Sequence, residues 1–423
     1  MKSKQHVTGL FCTSALLLAA ACGNNTDEAY LLMPEVASNY AKIVEASYQD
    51  SAATAVTLND ALDALAESPS TATMSAAQDA WLASREPYLQ TEVYRFYEGP
   101  IDNEENGPEG LLNAWPMDES HVDYTIGQGG LTDSGIVNDS SVTIDAATLE
   151  SKNEEGGEEN VATGYHAIEF LLWGQDMSSE GPGSRAFTDY AERPGVGSFG
   201  CYDPSTHLID CEAISEDECS PGTFWAENAC AVNHDRRALY LTTVGDMLVE
   251  HLNGLVAAWS DSGDNYRADF EAAAPEEQLR RIMTGMIILS GFETGGERLQ
   301  TALDSGDQED EHSCFSDNTH RDMVQDVRGI QNVYLGTYGA VSGPGVKDVI
   351  DVVNSGLATQ LEQEIAASLA AAEALQPPFD NEIAEGNTEG RARVQALIDA
   401  LRQQEKTLEE AFRAFKLTVP VAE

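Results

Sequence analysis

The chain has 423 residues, and its 72 acidic side chains outnumber the 23 basic ones, which gives a formal net charge of −49 at pH 7. Nucleic-acid binding depends on clustered Lys and Arg, so this charge excludes nucleic acid as a partner. Anionic membrane surfaces would also repel the body of the protein. The length is sufficient for two domains with a substantial core.

The first 21 residues predict a signal peptide. Lys2 and Lys4 precede an apolar segment over 7–21 that is too short to span a membrane. Two cleavage patterns fit. The run Ala19-Ala20-Ala21-Cys22 resembles a lipobox that would leave Cys22 lipidated, although Leu is usual where Ala19 stands; Ala19 and Ala21 also suit an ordinary signal peptidase. The cysteine at the cut favours an exported lipoprotein, periplasmic or anchored to the outer membrane by its lipid, with residues 22–33 as a tether.

Apolar residues then recur at helical spacing in several long runs, and strand-like alternation is scarce. The clearest runs cover residues 34–66, 73–97, 238–259, 276–301, 346–375 and 389–415. This pattern predicts an all-α protein of two helical bundles, one over 34–190 and one over 236–423.

The segment 191–235 between the bundles is rich in cysteine, and we predict a loop insertion there. Four cysteines so close together in an exported protein indicate two disulfides, whereas a zinc site would need C-x-x-C-like pairs that are absent. All three pairings remain open. The four residues are Cys201, Cys211, Cys219 and Cys230.

An apolar run from Gly164 to Gly174 holds the most informative motif. His166 and Glu169 lie three residues apart, so a helix would place both on one face. Imidazole and carboxylate are ligands for zinc or iron, which makes the pair a candidate metal site. The structural alternative is a buried histidine that is hydrogen-bonded to a glutamate.

Several further motifs accompany this pair in a fixed order. They lie at 81–102, 113–124, 311–322 and 332–336, and at Pro378-Phe379-Asp380. Together with Gly164-x-His166-x-x-Glu169 they resemble the imelysin family from around residue 35 to the C-terminus. The resemblance implies a secreted or lipid-anchored bacterial protein of two helical bundles, with the G-x-H-x-x-E motif facing a cleft between them. The family is named for an insulin-cleaving metallopeptidase, and its relatives include iron-regulated lipoproteins and a periplasmic component of ferrous-iron uptake.

The residue chemistry bears on the choice between a peptidase and an iron-handling protein. The chain has neither H-E-x-x-H nor H-x-x-E-H, since residue 170 is Phe, so the enzyme question stays open. His166, Glu169 and Glu92 are the predicted metal ligands, with iron favoured over zinc. Further candidates for the cleft or for orienting these ligands are Arg85, Arg95, Asp102, Asp118, Glu119, Arg298, Asp317, His320 and Asp322.

Some of these residues have ordinary structural alternatives. Arg85 would serve equally in a buried bridge to Glu169. The Asp317-x-x-His320-x-Asp322 cluster would serve equally as a helix start that is capped by Ser316 or Asp317.

Three functions therefore remain open. The first is a metal-binding accessory in iron acquisition, whose partners would be a metal ion or an iron-containing ligand and envelope iron-transport components. The second is a metal-dependent peptidase of the imelysin type. The third is a non-enzymatic envelope protein that binds a small anionic ligand through Arg85, Arg95 and Arg298.

Overall fold

A computed structural model describes residues 25–127, 130–132, 134–178, 181–191 and 232–420, together with three short strands between residues 201 and 230. Helices dominate these residues, which confirms the all-α prediction. The helices are α1 (Asn25–Glu67), α2 (Thr71–Leu89), α3 (Glu109–Leu112), α4 (Glu119–Val122), α5 (Ala146–Lys152), α6 (Gly164–Trp173), α7 (His234–Trp259), α8 (Tyr266–Ala272), α9 (Pro275–Ile288), α10 (Thr301–Ser305), α11 (Thr319–Leu335), α12 (Val346–Ala372), α13 (Phe379–Ile383) and α14 (Thr388–Ala414). Short 3-10 turns occur at Glu92–Tyr94, Phe187–Tyr190 and Gln308–Asp310.

The long helix α1 packs against helices from both halves of the chain, namely α2 and then α7, α9 and α12. It begins at Asn25, within the predicted tether. Ala29 and Met33 are buried there because they continue the apolar stripe of the helix through Val36. The predicted division into two bundles with a cleft stays a prediction.

Helix α6 lies wholly within the core, because every residue from Gly164 to Trp173 is buried. Its first residue, Gly164, has a φ of +81°. A Cβ atom there would lie 2.5 Å from the carbonyl oxygen of Leu112. Only glycine combines this backbone conformation with so close an approach, so Gly164 fixes how the helix enters the core.

Between α9 and α10 the chain forms a wider, π-type helix over Leu289–Gln300. Such segments are rare and occur frequently at functional sites. This one carries Glu293 and Arg298, whose side chains form an ion pair with Nη2 and Oε1 2.9 Å apart.

A buried ion-pair network joins α7 to the loop that follows α4. Asp123 accepts hydrogen bonds from Nε and Nη2 of Arg237 at 2.6 and 2.9 Å, and from Nη1 of Arg185 at 2.9 Å. The side chains of all three residues are fully buried. Arg185 also pairs with Asp189 at 3.0 Å. The network therefore connects segments that lie more than a hundred residues apart.

The strands are short. β1 (Ile126–Gly127) pairs with β2 (Gly130–Leu131), β6 (Thr337–Tyr338) pairs with β7 (Val341–Ser342), and β3 (Cys201–Asp203) lies between β4 (Leu208–Ile209) and β5 (Ala229–Cys230), all antiparallel. The register places Cys201 opposite Cys230.

The remaining predictions about the N-terminus and the insertion stay predictions. The signal peptide, Cys22, and the side chains of the four insertion cysteines lie outside the described residues. Within the described part of the chain, no helix is both long and apolar enough to cross a membrane.

Candidate metal centre

His166 and Glu169 lie together on one face of α6, as their spacing predicts. The Nδ1 atom of His166 is 2.9 Å from Oε2 of Glu169, and both side chains are buried. The other carboxylate oxygen of Glu169, Oε1, accepts hydrogen bonds from the backbone N–H of Ser316 at 3.0 Å and from its hydroxyl at 2.6 Å. Both oxygens of Glu169 are therefore engaged, one by the histidine and one by the loop before α11.

The opposite nitrogen of His166, Nε2, is buried and has no hydrogen-bond partner among the described residues. Burial, assisted by the positive charge of Arg85, lowers the pKa of His166 well below its usual value, so the ring is neutral. Burial raises the pKa of Glu169 to about 8, and a cation bound at His166 would favour its ionised form. When Nδ1 donates its proton to the ionised carboxylate, Nε2 carries a free lone pair. A carboxylate that orients a histidine in this way is typical of metal-binding sites.

A second histidine, His312, adjoins the first. The two ring centroids are 5.0 Å apart. Its Nδ1 lies 2.7 Å from Oδ2 of Asp322, which repeats the pairing of His166 with Glu169. Burial, with a further contribution from Arg298, lowers the pKa of His312 to about 3, so this ring is neutral as well. His312 was not among the predicted site residues. The only feature of the sequence that pointed to it was its position inside the family-like segment 311–322.

Asp322 is the centre of a hydrogen-bond network that fixes His312. Besides the imidazole, it accepts from the Ser313 hydroxyl at 2.5 Å, from Nδ2 of Asn318 at 3.0 Å and from Nη2 of Arg85 at 3.3 Å. Although burial opposes ionisation, Arg85 and His312 lower the pKa of Asp322 below its usual value. The buried bridge of Arg85 is thus made to Asp322 rather than to Glu169.

Aromatic rings surround the guanidinium of Arg85. Its carbon atom lies 5.4 Å from the ring of Trp81, 5.7 Å from that of Tyr88 and 5.0 Å from that of Tyr165. Cation–π attraction of this kind adds to the ion pair and holds the side chain in one orientation. The Nη1 atom of Arg85 also donates to Asn113 at 2.5 Å. Arg85 therefore acts through Asp322 to position His312.

Glu92 lies in a neighbouring cluster of arginines. Its Oε2 accepts from Arg95 at 2.8 Å and from Arg298 at 2.5 Å. Although burial alone would raise it, these two arginines hold the pKa of Glu92 at about 2. Its Oε1 atom is buried and has no hydrogen-bond partner among the described residues. Glu92 is thus an ionised carboxylate with one free oxygen.

Arg298 also binds Asp326 at 3.0 Å, which joins the arginine cluster to α11. Arg95 continues the cluster to Glu109, with Nη2 and Oε1 3.0 Å apart. The three arginines that the sequence analysis proposed for an anionic ligand are therefore already neutralised by carboxylates of the protein.

Two other predicted residues have local structural roles, and the pKa of a third is shifted by its surroundings. Asp102 braces a turn by accepting from the backbone N–H groups of Phe96 and Gly99. Asp118 caps α4 by accepting from the N–H of Ser120 at 2.9 Å. Burial raises the pKa of Glu119.

The predicted cluster of Asp317, His320 and Asp322 is divided. Asp322 binds His312 and Arg85, whereas the ring of His320 contacts the Asp317 backbone carbonyl at 3.1 Å. The Asp317 carboxylate lies near Asp176 and Asp380 instead. Neither Ser316 nor Asp317 caps α11: the Ser316 hydroxyl binds Glu169, and the Asp317 carboxylate accepts no hydrogen bond from any described residue.

Comparison with known proteins adds to this geometry. The family model of Imelysin (Peptidase_M75) matches residues 44–408. The chain is 23% identical to Iron-regulated protein A of Synechococcus elongatus, over 96% of this chain and 92% of that protein.

Two crystal structures share the fold. One is a putative iron-regulated protein A precursor from Parabacteroides distasonis, with a TM-score of 0.61 and 16% identity over 90% of this chain and 95% of the other. The other is an imelysin-like protein from Psychrobacter arcticus, with a TM-score of 0.59 and 13% identity over 94% and 98% of the two chains.

Proposed function

Because this chain belongs to the imelysin family, we propose that it is an exported, lipid-anchored protein that binds a metal ion, with iron as the cargo, and serves iron acquisition. One observation carries the proposal. The Nε2 atom of His166 is buried without a hydrogen-bond partner while Glu169 holds the opposite nitrogen at 2.9 Å. A buried polar atom is normally satisfied, so an unpartnered nitrogen on an imidazole whose other nitrogen is held by a carboxylate indicates a ligand.

The surrounding donors suit iron. His166 and the adjacent His312 would supply imidazole nitrogens, and the free Oε1 of Glu92 would supply a carboxylate oxygen. Among the described residues, only Asp176, Asp317 and Asp380 bring three ligand atoms within 4.8 Å of one another, so an ion would have to draw His166, His312 and Glu92 closer together. A mixed set of imidazole and carboxylate is typical of non-haem iron sites. Glu169 acts as a positioning residue in this proposal, because both of its oxygens are already engaged.

The names of the relatives favour iron over zinc. The cyanobacterial relative and one of the structural neighbours are both described as iron-regulated proteins. The signal peptide predicted from the sequence provides the export route, and the lipobox-like Cys22 provides the anchor.

A peptidase role has weaker support from the geometry. Hydrolysis by a metal-bound water needs a general base. Among the predicted cleft carboxylates, Asp322 is occupied by four donor groups and its pKa is lowered, which makes it a poor proton acceptor. Glu119, another carboxylate predicted near the cleft, forms no hydrogen bond or ion pair with His166 in the described part of the chain. Metal binding without cleavage is therefore the function that we propose.

Calorimetric titration with Fe²⁺ under anaerobic conditions tests the proposal. We expect the His166→Ala protein to lose at least about tenfold in affinity, as even the loss of an orienting group costs that much. His251→Ala is a matched control, because the Nε2 atom of His251 is also buried and unpartnered but lies on α7. Equal affinity in the wild-type and His166→Ala proteins would show that His166 is a core histidine.

A further inference from the structure

Three aspartates from distant parts of the chain meet close to the loop that carries Ser316. Asp176 lies in the segment after α6, Asp317 precedes α11, and Asp380 is in α13. One carboxylate oxygen from each lies within 4.8 Å of the other two. The exposed fractions are only 4%, 5% and 6%, respectively. Like charges at this separation repel one another, so the cluster is costly unless something neutralises it.

The described residues supply little neutralisation to two of the three aspartates, Asp317 and Asp176. Both oxygens of Asp317 lack a hydrogen-bond partner among the described residues, as does Oδ2 of Asp176. Among the same residues, no Lys or Arg forms an ion pair with either side chain. Buried carboxylates are otherwise paired, hydrogen-bonded or bound to a metal. This contrasts with Asp123, Asp322 and Glu92, each of which binds at least one arginine.

A fourth carboxylate points to the same place. Glu311 is fully buried, and neither of its oxygens has a hydrogen-bond partner among the described residues. Burial and then the charges of Asp317, Asp380 and Asp176 raise its pKa well above the usual value. Burial and the same neighbours raise the pKa of Asp317 to about 8, and burial raises that of Asp176 to about 7.

We propose that Asp176, Asp317 and Asp380 bind a hard divalent cation of the calcium class, at a site distinct from that of His166. The donors at this site are carboxylate oxygens alone, which suit Ca²⁺, whereas Zn²⁺ favours sites with nitrogen or sulfur. A cation here would tie α13 to the segment after α6 and to the loop before α11. That loop also carries His312 and Ser316, so the cation would brace the elements that orient both histidines.

Thermal unfolding and calorimetry with Ca²⁺ test this proposal, using Asp317→Asn. Asn keeps the shape of the side chain and tolerates the left-handed backbone of Asp317, whose φ is +55°. In chelator, we expect the variant to melt above the wild type, because the amide is neutral, whereas Asp317 must take up a proton or keep an unpaired buried charge when no cation is bound. With Ca²⁺, we expect the wild type to gain stability and the variant to lose at least about tenfold in Ca²⁺ affinity, as a lost ligand costs at least what a lost orienting group does.

Three controls sharpen the result. Asp261→Asn alters an aspartate whose side chain is 85% exposed and should behave as the wild type. Asp176→Asn gives the same readout if the first variant does not fold. His166→Ala should keep its Ca²⁺ affinity, which separates this site from the proposed iron site. The proposal is overturned if Ca²⁺ gives no heat and no stabilisation in the wild type, if Asp317→Asn binds Ca²⁺ as tightly as the wild type, or if only Fe²⁺ binding is lost in Asp317→Asn.

Discussion

Replacing Glu169 with Gln should weaken metal binding while leaving the fold intact. The backbone N–H of Ser316 is a fixed donor 3.0 Å from Oε1 of Glu169, so the carbonyl oxygen of the glutamine must occupy that position. The amide NH₂ then faces Nδ1 of His166, 2.9 Å from the atom it replaces. Because an NH₂ group can only donate, Nδ1 must accept, and the ring proton moves to Nε2. The lone pair that would bind the metal is thereby lost.

The loss of metal affinity in Glu169→Gln should be large, although the substitution changes only one side-chain atom. Altering a group that orients a ligating histidine typically costs about 10- to 100-fold in metal affinity, which corresponds to about 1.4–2.7 kcal/mol. Stability should change much less, since the two hydrogen bonds from Ser316 are retained and the side-chain volume is unchanged.

Anaerobic Fe²⁺ calorimetry, with thermal unfolding of the same samples, measures both effects. Glu150→Gln, on the surface of α5, is the matched control and should bind iron as the wild type does. A folded Glu169→Gln protein with wild-type affinity would refute the tautomer reasoning.

Three further predictions concern the scaffold. Asp123→Asn should destabilise the protein by about 3–5 kcal/mol in denaturant unfolding, because two buried arginines lose their charged partner. Burial opposes ionisation of Asp123, but Arg237 and Arg185 lower its pKa, so its contribution to stability is present at neutral pH and is lost as the pH falls below about 4. A difference in unfolding free energy between wild type and variant that persists unchanged in acid would contradict this role of Asp123. Gly285→Ala should lower the free energy of unfolding by about 1–3 kcal/mol, because its Cβ would lie 2.1 Å from a backbone oxygen of the Glu92–Tyr94 turn. Gly254→Ala should be neutral or stabilising, because no described atom outside its own helix lies within 4 Å of the new Cβ. Equal melting temperatures for the two variants would show that the contact at Gly285 is not tight. Thiol titration of the denatured, unreduced mature protein should find Cys314 as the only reactive cysteine of the folded body, and four or more reactive thiols would overturn the two predicted disulfides.

The helices could be predicted from the sequence because helical periodicity is a local property. The approximate positions of the long helices, and the shared face of His166 and Glu169, follow from spacings of three and four residues. The start of α1 was placed too late, because the apolar stripe at Ala29 and Met33 is weak beside the polar residues around it. The local pattern therefore predicts where the helices lie but predicts their first and last residues less accurately.

The contacts between distant segments could not be predicted. Arg85 pairs with Asp322 and His166 lies beside His312, but nothing in either spacing distinguishes these partners from others. The family-like motifs marked the segments that meet at the site without indicating which side chains touch. The cluster of Asp176, Asp317 and Asp380 was missed for the same reason, since Asp317 and Asp380 belong to two separate motifs and Asp176 belongs to none.

The location of bound iron tests the central claim most directly. Anomalous diffraction at the iron absorption edge, from crystals grown with Fe²⁺ under anaerobic conditions, would place the ion without reference to any variant. We expect a peak about 2.1 Å from Nε2 of His166, close to the usual length of a bond between a metal and imidazole. A peak confined to the aspartate cluster or to surface carboxylates, with none at His166, would contradict the proposed function.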